Sequence, residues 1–205
     1  MKELFKGLKK AFMISISFLV ICGLIYPLVL TGIGQVFFPK QANGSLIEVN
    51  GEVVGSALIG QDFNEEYFMK GRPSAVNYNT YTEEEYTTAV SSGSSNYAPT
   101  NPELVKRVKA EIETFLKENP TVKKEDIPTD LMTVSGSGLD PHISVEGAMI
   151  QIDRIAKASN LSKEMLVEIV NKNTEGKLLG IFGEDYVNVL QVNLDIAMEM
   201  GLLNK

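Results

Sequence analysis

Ala11-Phe12-Met13-Ile14-Ser15-Ile16-Ser17-Phe18-Leu19-Val20-Ile21-Cys22-Gly23-Leu24-Ile25-Tyr26-Pro27-Leu28-Val29-Leu30-Thr31-Gly32-Ile33-Gly34-Gln35-Val36-Phe37-Phe38-Pro39 contains no charged residue, and Leu, Ile, Val and Phe dominate it. A bilayer core of about 30 Å is crossed by about 20 apolar helical residues. This run is longer, and tilt or extension into the headgroups absorbs the excess. The reading is a transmembrane anchor helix over residues 11–38. A cleaved signal peptide would have a shorter apolar core of about 7–15 residues ending in small side chains. Phe37-Phe38-Pro39-Lys40 offers no such site. Pro27 is expected to bend the helix. Ser15, Ser17, Gly23, Gly32 and Gly34 allow close approach of another helix, and Gln35 can hydrogen-bond across helices. The plainer reading is the ordinary abundance of Gly and Pro in membrane helices.

Charge orients the span. Lys2, Lys6, Lys9 and Lys10 precede it, and only Lys40 follows closely. The positive-inside rule keeps residues 1–10 in the cytoplasm and puts residues 39–205 outside, as a single-pass protein of the cell membrane. Residues 1–40 carry a net +4 and the whole chain −7, so residues 41–205 carry −11. That balance excludes nucleic acid as a partner, because phosphate binding needs Lys and Arg. Cys22 is the one cysteine, so no intrachain disulfide staples the exported part.

Beyond the span the pattern is that of one mixed domain. In Leu46-Ile47-Glu48-Val49-Asn50-Gly51-Glu52-Val53-Val54, β-rich residues flank an Asn-Gly pair suited to a type I′ turn. Strand character extends through Ala57-Leu58-Ile59. Residues 67–101 are rich in Tyr, Ser, Asn, Gly and Pro and read as a long loop, with a short helix near Glu83–Ala89. Asn101-Pro102-Glu103 opens a helix whose apolar face is Leu104, Val105, Val108, Ile112, Phe115 and Leu116. Ser144 caps a second helix and Ser162 a third. Leu178–Phe182 is a short apolar run that suits a strand. Val187, Leu190, Leu194 and Ala197 fit a last helix, although Val187-Asn188-Val189 alternates as a strand does. The class is α+β: a single N-terminal transmembrane helix followed by one soluble mixed α/β domain.

The most distinctive stretch is Ser135-Gly136-Ser137-Gly138-Leu139-Asp140-Pro141-His142-Ile143-Ser144, which runs directly into the second helix. A glycine-rich turn entering a helix N-terminus offers free N–H groups and a positive dipole end to an anion. Against this, no G-x-x-x-x-G-K-[ST] sequence occurs, and Asp140 would repel a phosphate. A tight structural turn is the simpler reading. Ser135 or Ser137 with Asp140 and His142 has the composition of a hydrolase triad. However, Asp140 and His142 stand only two apart across a proline, and no Gly-x-Ser-x-Gly elbow occurs. A metal at Asp140 and His142 would lack further ligands nearby. In Gly71-Arg72-Pro73-Ser74-Ala75 the arginine can fork onto a phosphate or pair with a carboxylate of its own chain. An anchored binding module, reading ligands with the aromatic loop, is the remaining class.

In order along the chain, Gly55-Ser56-Ala57-Leu58-Ile59-Gly60-Gln61, Tyr67-Phe68, Gly71-Arg72-Pro73-Ser74-Ala75, Pro99-Thr100-Asn101-Pro102, the block at 135–144, Gln151 and Val187-Asn188-Val189-Leu190 resemble the KdpC family, the C subunits of the Kdp potassium-transporting P-type ATPase. The resemblance covers essentially the whole chain, and the block at 135–144 is highly specific. It departs at Ser92-Gly93-Ser94-Ser95-Asn96-Tyr97-Ala98-Pro99, in a longer loop at 76–91, and at Asp185, where a proline is common.

The resemblance implies an accessory, non-catalytic subunit of a potassium uptake pump, needed for assembly and activity, whose partners are the catalytic and potassium-channel subunits. It implies a catalytic chaperone that raises the catalytic subunit's affinity for ATP. The nucleotide or a partner subunit would then touch Ser135, Gly136, Ser137, Gly138, Asp140 and His142. The chain itself has no Asp-Lys-Thr-Gly motif, no Walker A loop and no Thr-Val-Gly-Tyr-Gly filter. ATP binds in the cytoplasm, whereas the charge pattern exports residues 39–205. With that topology the turn cannot touch ATP in the assembled pump.

Overall fold

The computed structural model describes residues 1–80 and 90–203, so the short helix expected near Glu83–Ala89 lies outside the described residues. The chain forms two compact units, Met1–Leu46 and Ile47–Lys205.

The first unit is helical. Helix α1 (Lys2–Val20) passes through a π-helical turn at Ile21–Ile25 into α2 (Tyr26–Phe37), a continuous 36-residue run with no buried part. Helix therefore begins well before the apolar stretch, at Lys2, where a Lys6–Glu3 pair of 2.9 Å supports the first turns. The π-turn sits just before Pro27, which has no N–H to donate and whose ring crowds the preceding turn. There the Tyr26 N–H reaches back to the Ile21 carbonyl, and the wider turn carries the helix past the proline. Ser17 donates to the Met13 carbonyl at 2.8 Å, which satisfies its hydroxyl within the helix. Phe38 breaks the helix, and the short α3 (Pro39–Ala42) follows. Gln35 exchanges two hydrogen bonds of 3.2 Å with Asn43, so its carboxamide is satisfied within its own unit.

The second unit is α+β. Strands β1 (Leu46–Val49) and β2 (Glu52–Ser56) form the hairpin, with φ of 54° at Asn50 and 84° at Gly51, as a type I′ turn requires. The strand does not continue through Ala57–Ile59. The chain turns there, closed by an isolated Ser56–Ile59 bridge. Helix α4 (Pro102–Glu118) is capped by Asn101, whose side chain accepts from the Glu103 N–H, and its Val108, Ile112 and Phe115 pack on the core. Then come β3 (His142–Ser144), α5 (Val145–Met149), α6 (Ile152–Ser159), α7 (Lys163–Lys172), β4 (Thr174–Glu175), β5 (Tyr186–Asn188) and α8 (Val189–Glu199).

The three short strands form an antiparallel sheet in the order β3-β5-β4, with Ile143 opposite Val187 and Thr174 opposite Val187. Alternation puts Ile143 and Val187 toward the core and His142, Ser144 and Tyr186 on the other face. Both β3 and β5 end in the N-cap of the helix that follows, Ser144 for α5 and Asn188 for α8. The core joins Ile143 and Val187 to Ile152, Ile155, Leu166, Val170, Val192 and Ile196.

The segment 66–70 is coil, yet Met69 is buried in that core. Its backbone groups are paired by side chains. Asn193 accepts from the Met69 N–H at 2.7 Å and donates to the Met69 carbonyl at 2.9 Å. Gln151 does the same for Lys70, at 2.9 and 3.1 Å. Arg154 donates to the carbonyls of Glu66 and Phe68. Asn193→Ala would leave a buried donor and a buried acceptor unpaired. The expected loss is about 2–4 kcal/mol, read as a lower urea midpoint for the full chain in detergent.

Candidate functional site

Of the sequence block 135–144, residues 135–141 fold as a turn knitted to the loop 71–78, and 142–144 form β3. The Ser135 N–H donates to the Pro73 carbonyl, and Ser74 Oγ donates to the Gly138 carbonyl at 2.6 Å. Gly138 has a φ of 69°, and a Cβ there would stand 2.7 Å from Val76 Cγ2, so only glycine fits. Gly60 lies against the Asp140 backbone, where a Cβ would come within 2.5 Å of the carbonyl oxygen. The N–H groups of Gly138, Leu139 and His142 are taken by Ser135 O, Ser137 Oγ and Asp140 Oδ1.

Strand β3 stands between the glycines and the helix, so the turn does not enter a helix N-terminus. The second helix is also split, into α5 and α6. The N-terminus of α5 is occupied from within. Asp130 accepts from the Ser144 N–H at 2.7 Å and from its hydroxyl at 3.0 Å, and Ser144 Oγ caps the Gly147 N–H.

Arg72 pairs with Asp140, Nη1 to Oδ2 at 2.8 Å, and so meets a carboxylate of its own chain. Its Nη2 makes long 3.5 Å contacts with Thr133, and its buried Nε has no partner among the described residues. Burial works to raise the Asp140 carboxyl. The neighbouring His142 imidazole, a hydrogen bond from the His142 N–H and the Arg72 guanidinium together outweigh that and hold it at about 2. Tyr78 donates to the Arg72 carbonyl at 2.6 Å, and burial, reinforced by Asp140 and Asp62, pushes its hydroxyl up to about 12.

The imidazole of His142 lies 3.6 Å from Asp140 through Nδ1 and packs on Tyr186, ring centroids 4.4 Å apart. Among the described residues no hydrogen bond joins it to Ser135 or Ser137, and Ser135 is buried, so no hydrolytic triad is assembled. Nor is any group of three or more His, Cys, Asp or Glu side chains arranged for a metal among those residues.

Asp140 and His142 open onto a groove of about 620 Å³; the four Ser and Gly positions at 135–138 do not line it. Among the described residues seven carboxylates face this groove, from Glu125, Asp126, Asp130, Asp140, Glu146, Glu184 and Asp185, against the one guanidinium of Arg72. A polyphosphate would meet strong repulsion there. Sequence reading missed this groove because its residues come from four separate segments. A larger cleft of about 770 Å³ contains Arg154, but all three nitrogens of that guanidinium are already bonded to the protein.

An apolar N-terminal helix carrying one α+β domain with an acidic face defines a single-pass membrane protein. The family described as "KdpC: K+-transporting ATPase, c chain" matches residues 8–198. The "Potassium-transporting ATPase KdpC subunit" of Clostridium kluyveri is 64% identical over 209 residues, covering 100% of both chains. The protein of the same description from Clostridioides difficile is 59% identical over 97% of this chain and 100% of its own, and that from Caldanaerobacter subterraneus is 47% identical over 94% and 95%. The chain belongs to the KdpC family, subunits of the potassium-transporting ATPase.

Asp140→Asn should cost about 2 kcal/mol at pH 7, from a carboxyl shifted by roughly two pH units. The folded value lies below the unfolded one near 3.8, so the stabilisation is complete above about pH 4 and fades as pH falls toward 2. Denaturation of both proteins across that range should show their difference shrinking with acid.

Proposed function

We propose that this chain is the accessory, non-catalytic C subunit of an ATP-driven potassium uptake pump. Its N-terminus lies in the cytoplasm and residues 39–205 lie outside. It assembles with the catalytic and potassium-channel subunits and raises the catalytic subunit's affinity for ATP as a catalytic chaperone. The observation that carries the reading is full-length similarity, at 64% identity, to a protein described as a potassium-transporting ATPase subunit.

ATP acts through the complex and does not sit on this chain. Three features support that part. Most N–H groups of the 135–142 turn are spent within the protein. Asp130 fills the α5 N-terminus. The groove beside the turn is lined by seven carboxylates. Ser135, Gly136, Ser137, Gly138, Asp140 and His142 then hold a rigid turn that faces a partner subunit.

Pump reconstituted without this chain should lose its potassium-stimulated ATPase at limiting ATP, and adding the chain back should restore it. Unchanged activity without it defeats the reading. In sealed vesicles of known sidedness, protease should cut residues 41–205 only from the outer side. Cleavage only from the cytoplasmic side reverses the orientation and returns the turn to the ATP compartment.

A further inference from the structure

Between β4 and β5 the chain forms a tight tip. Leu178 and Phe182 exchange backbone hydrogen bonds of 2.8 and 3.0 Å, and Leu179, Gly180 and Gly183 all have positive φ. Asp185 ties the base by accepting from the Lys177 N–H at 3.1 Å. This backbone displays Leu178, Leu179, Ile181 and Phe182 with relative exposures of 70, 81, 76 and 62%. Scattered exposed apolar residues are ordinary; four large ones within five positions mark a contact surface. The expected strand is absent here because the run is too short to pair beyond one bridge. Leu179, an ordinary residue held at a φ of 56°, shows that the turn is imposed on the sequence.

The tip continues directly into Glu184 and Asp185, which line the acidic groove. Asp140 is matched by Arg72. Glu125, Asp126, Asp130, Glu146, Glu184 and Asp185 form no ion pair among the described residues. One face thus offers a protruding apolar knob beside a trough of negative charge.

We propose that this composite face, Leu178–Phe182 with the adjacent acidic groove, docks another subunit of the same pump through an apolar pocket rimmed by Lys or Arg. The proposal rests on the pump reading above. Charge selects the occupant. Residues 41–205 carry −11, so an anionic lipid surface repels the flanks of the tip. A second copy of the chain would bring two acidic troughs together. A basic, concave protein surface complements both parts.

The test uses the whole pump in native membranes, with benzoylphenylalanine in place of Leu179. Irradiation should join this position to another pump subunit, at a peptide containing Lys or Arg. Adducts only with lipid, only with a second copy, or with nothing overturn the proposal. Leu179→Ser with Ile181→Ser should weaken retention of the other subunits about tenfold or more in mild detergent, with the unfolding transition of the chain unchanged. Rising salt should also release the unmodified chain, less steeply after Glu125→Gln with Glu146→Gln. Retention and salt response that stay as in the unmodified chain overturn it while the pump reading stands. If the unmodified chain brings down no other subunit, the pump reading fails and this proposal with it.

Discussion

A coil running through a core is the constraint on which the folded unit depends. Residues 66–70 belong to no strand or helix, yet Met69 is buried and Phe68 and Lys70 are half-buried, and buried peptide groups must find partners. Gln151, Arg154 and Asn193 supply them, reaching from the start of α6, from α6 itself and from α8. Gln151 also accepts from Arg154 at 2.8 Å, so these two side chains act as one network, beside the separate clasp of Asn193 on Met69. Arg154 is a buried cation with no carboxylate at ion-pair distance among the described residues. Carbonyl and carboxamide oxygens of Glu66, Phe68, Asn119 and Gln151 surround it. Burial lowers its pKa, opposed by Glu118 and Glu66. Because this network fixes Lys70, it also fixes where Gly71 and Arg72 emerge, and so brings Arg72 to Asp140.

The Arg72–Asp140 pair lines the acidic groove. A carboxyl held at about 2 is ionised throughout the physiological range, and one guanidinium balances it. The remaining carboxylates of the groove repel one another, which disfavours the compact state unless water screens them. The fold keeps them on an open surface, where that cost is smallest, and His142 packs on Tyr186 within the same lining. Tyr186 in turn donates to Glu175 at 2.6 Å. The polar face of the small sheet is thereby the floor of the groove, while its apolar face is the roof of the core.

Local pattern was enough for the elements whose signal is local. The apolar span, the Asn50-Gly51 hairpin, the Asn101-Pro102 start of α4 and the Ser162 cap of α7 each follow from neighbouring residues. Strands of two or three residues, such as 142–144 and 174–175, are too short for alternation to declare itself, and β3 interposes between the glycine-rich turn and its helix. The pairing of Arg72 with its own chain was legible as a class of contact, but its partner stands 68 residues away. Asn193 and Met69 are 124 apart. Gln151 was visible only as part of a family resemblance, since nothing near it in sequence indicates that it will clasp Lys70. The groove was the least legible feature, because only the fold brings 125–130, 140–146 and 184–185 together.

The same geometry bears on how a subunit of this kind can influence ATP. A domain that does not touch the nucleotide changes its affinity only by preferring one conformation of the partner that does. The energy for that preference must come from contacts made in one state and lost in the other, so a docking face is a physical requirement of the chaperone reading. Linkage then makes the effect reciprocal: whatever factor docking adds to ATP affinity, bound ATP adds to docking. A rigid domain suits this role better than a soft one, because a yielding contact follows its partner between states and discriminates neither. The polar network at 66–70, the interlocked turn at 135–142 and the helix caps at Ser144 and Asn188 each restrict that yielding. What this chain brings to the pump, on this reading, is stiffness at a charged surface.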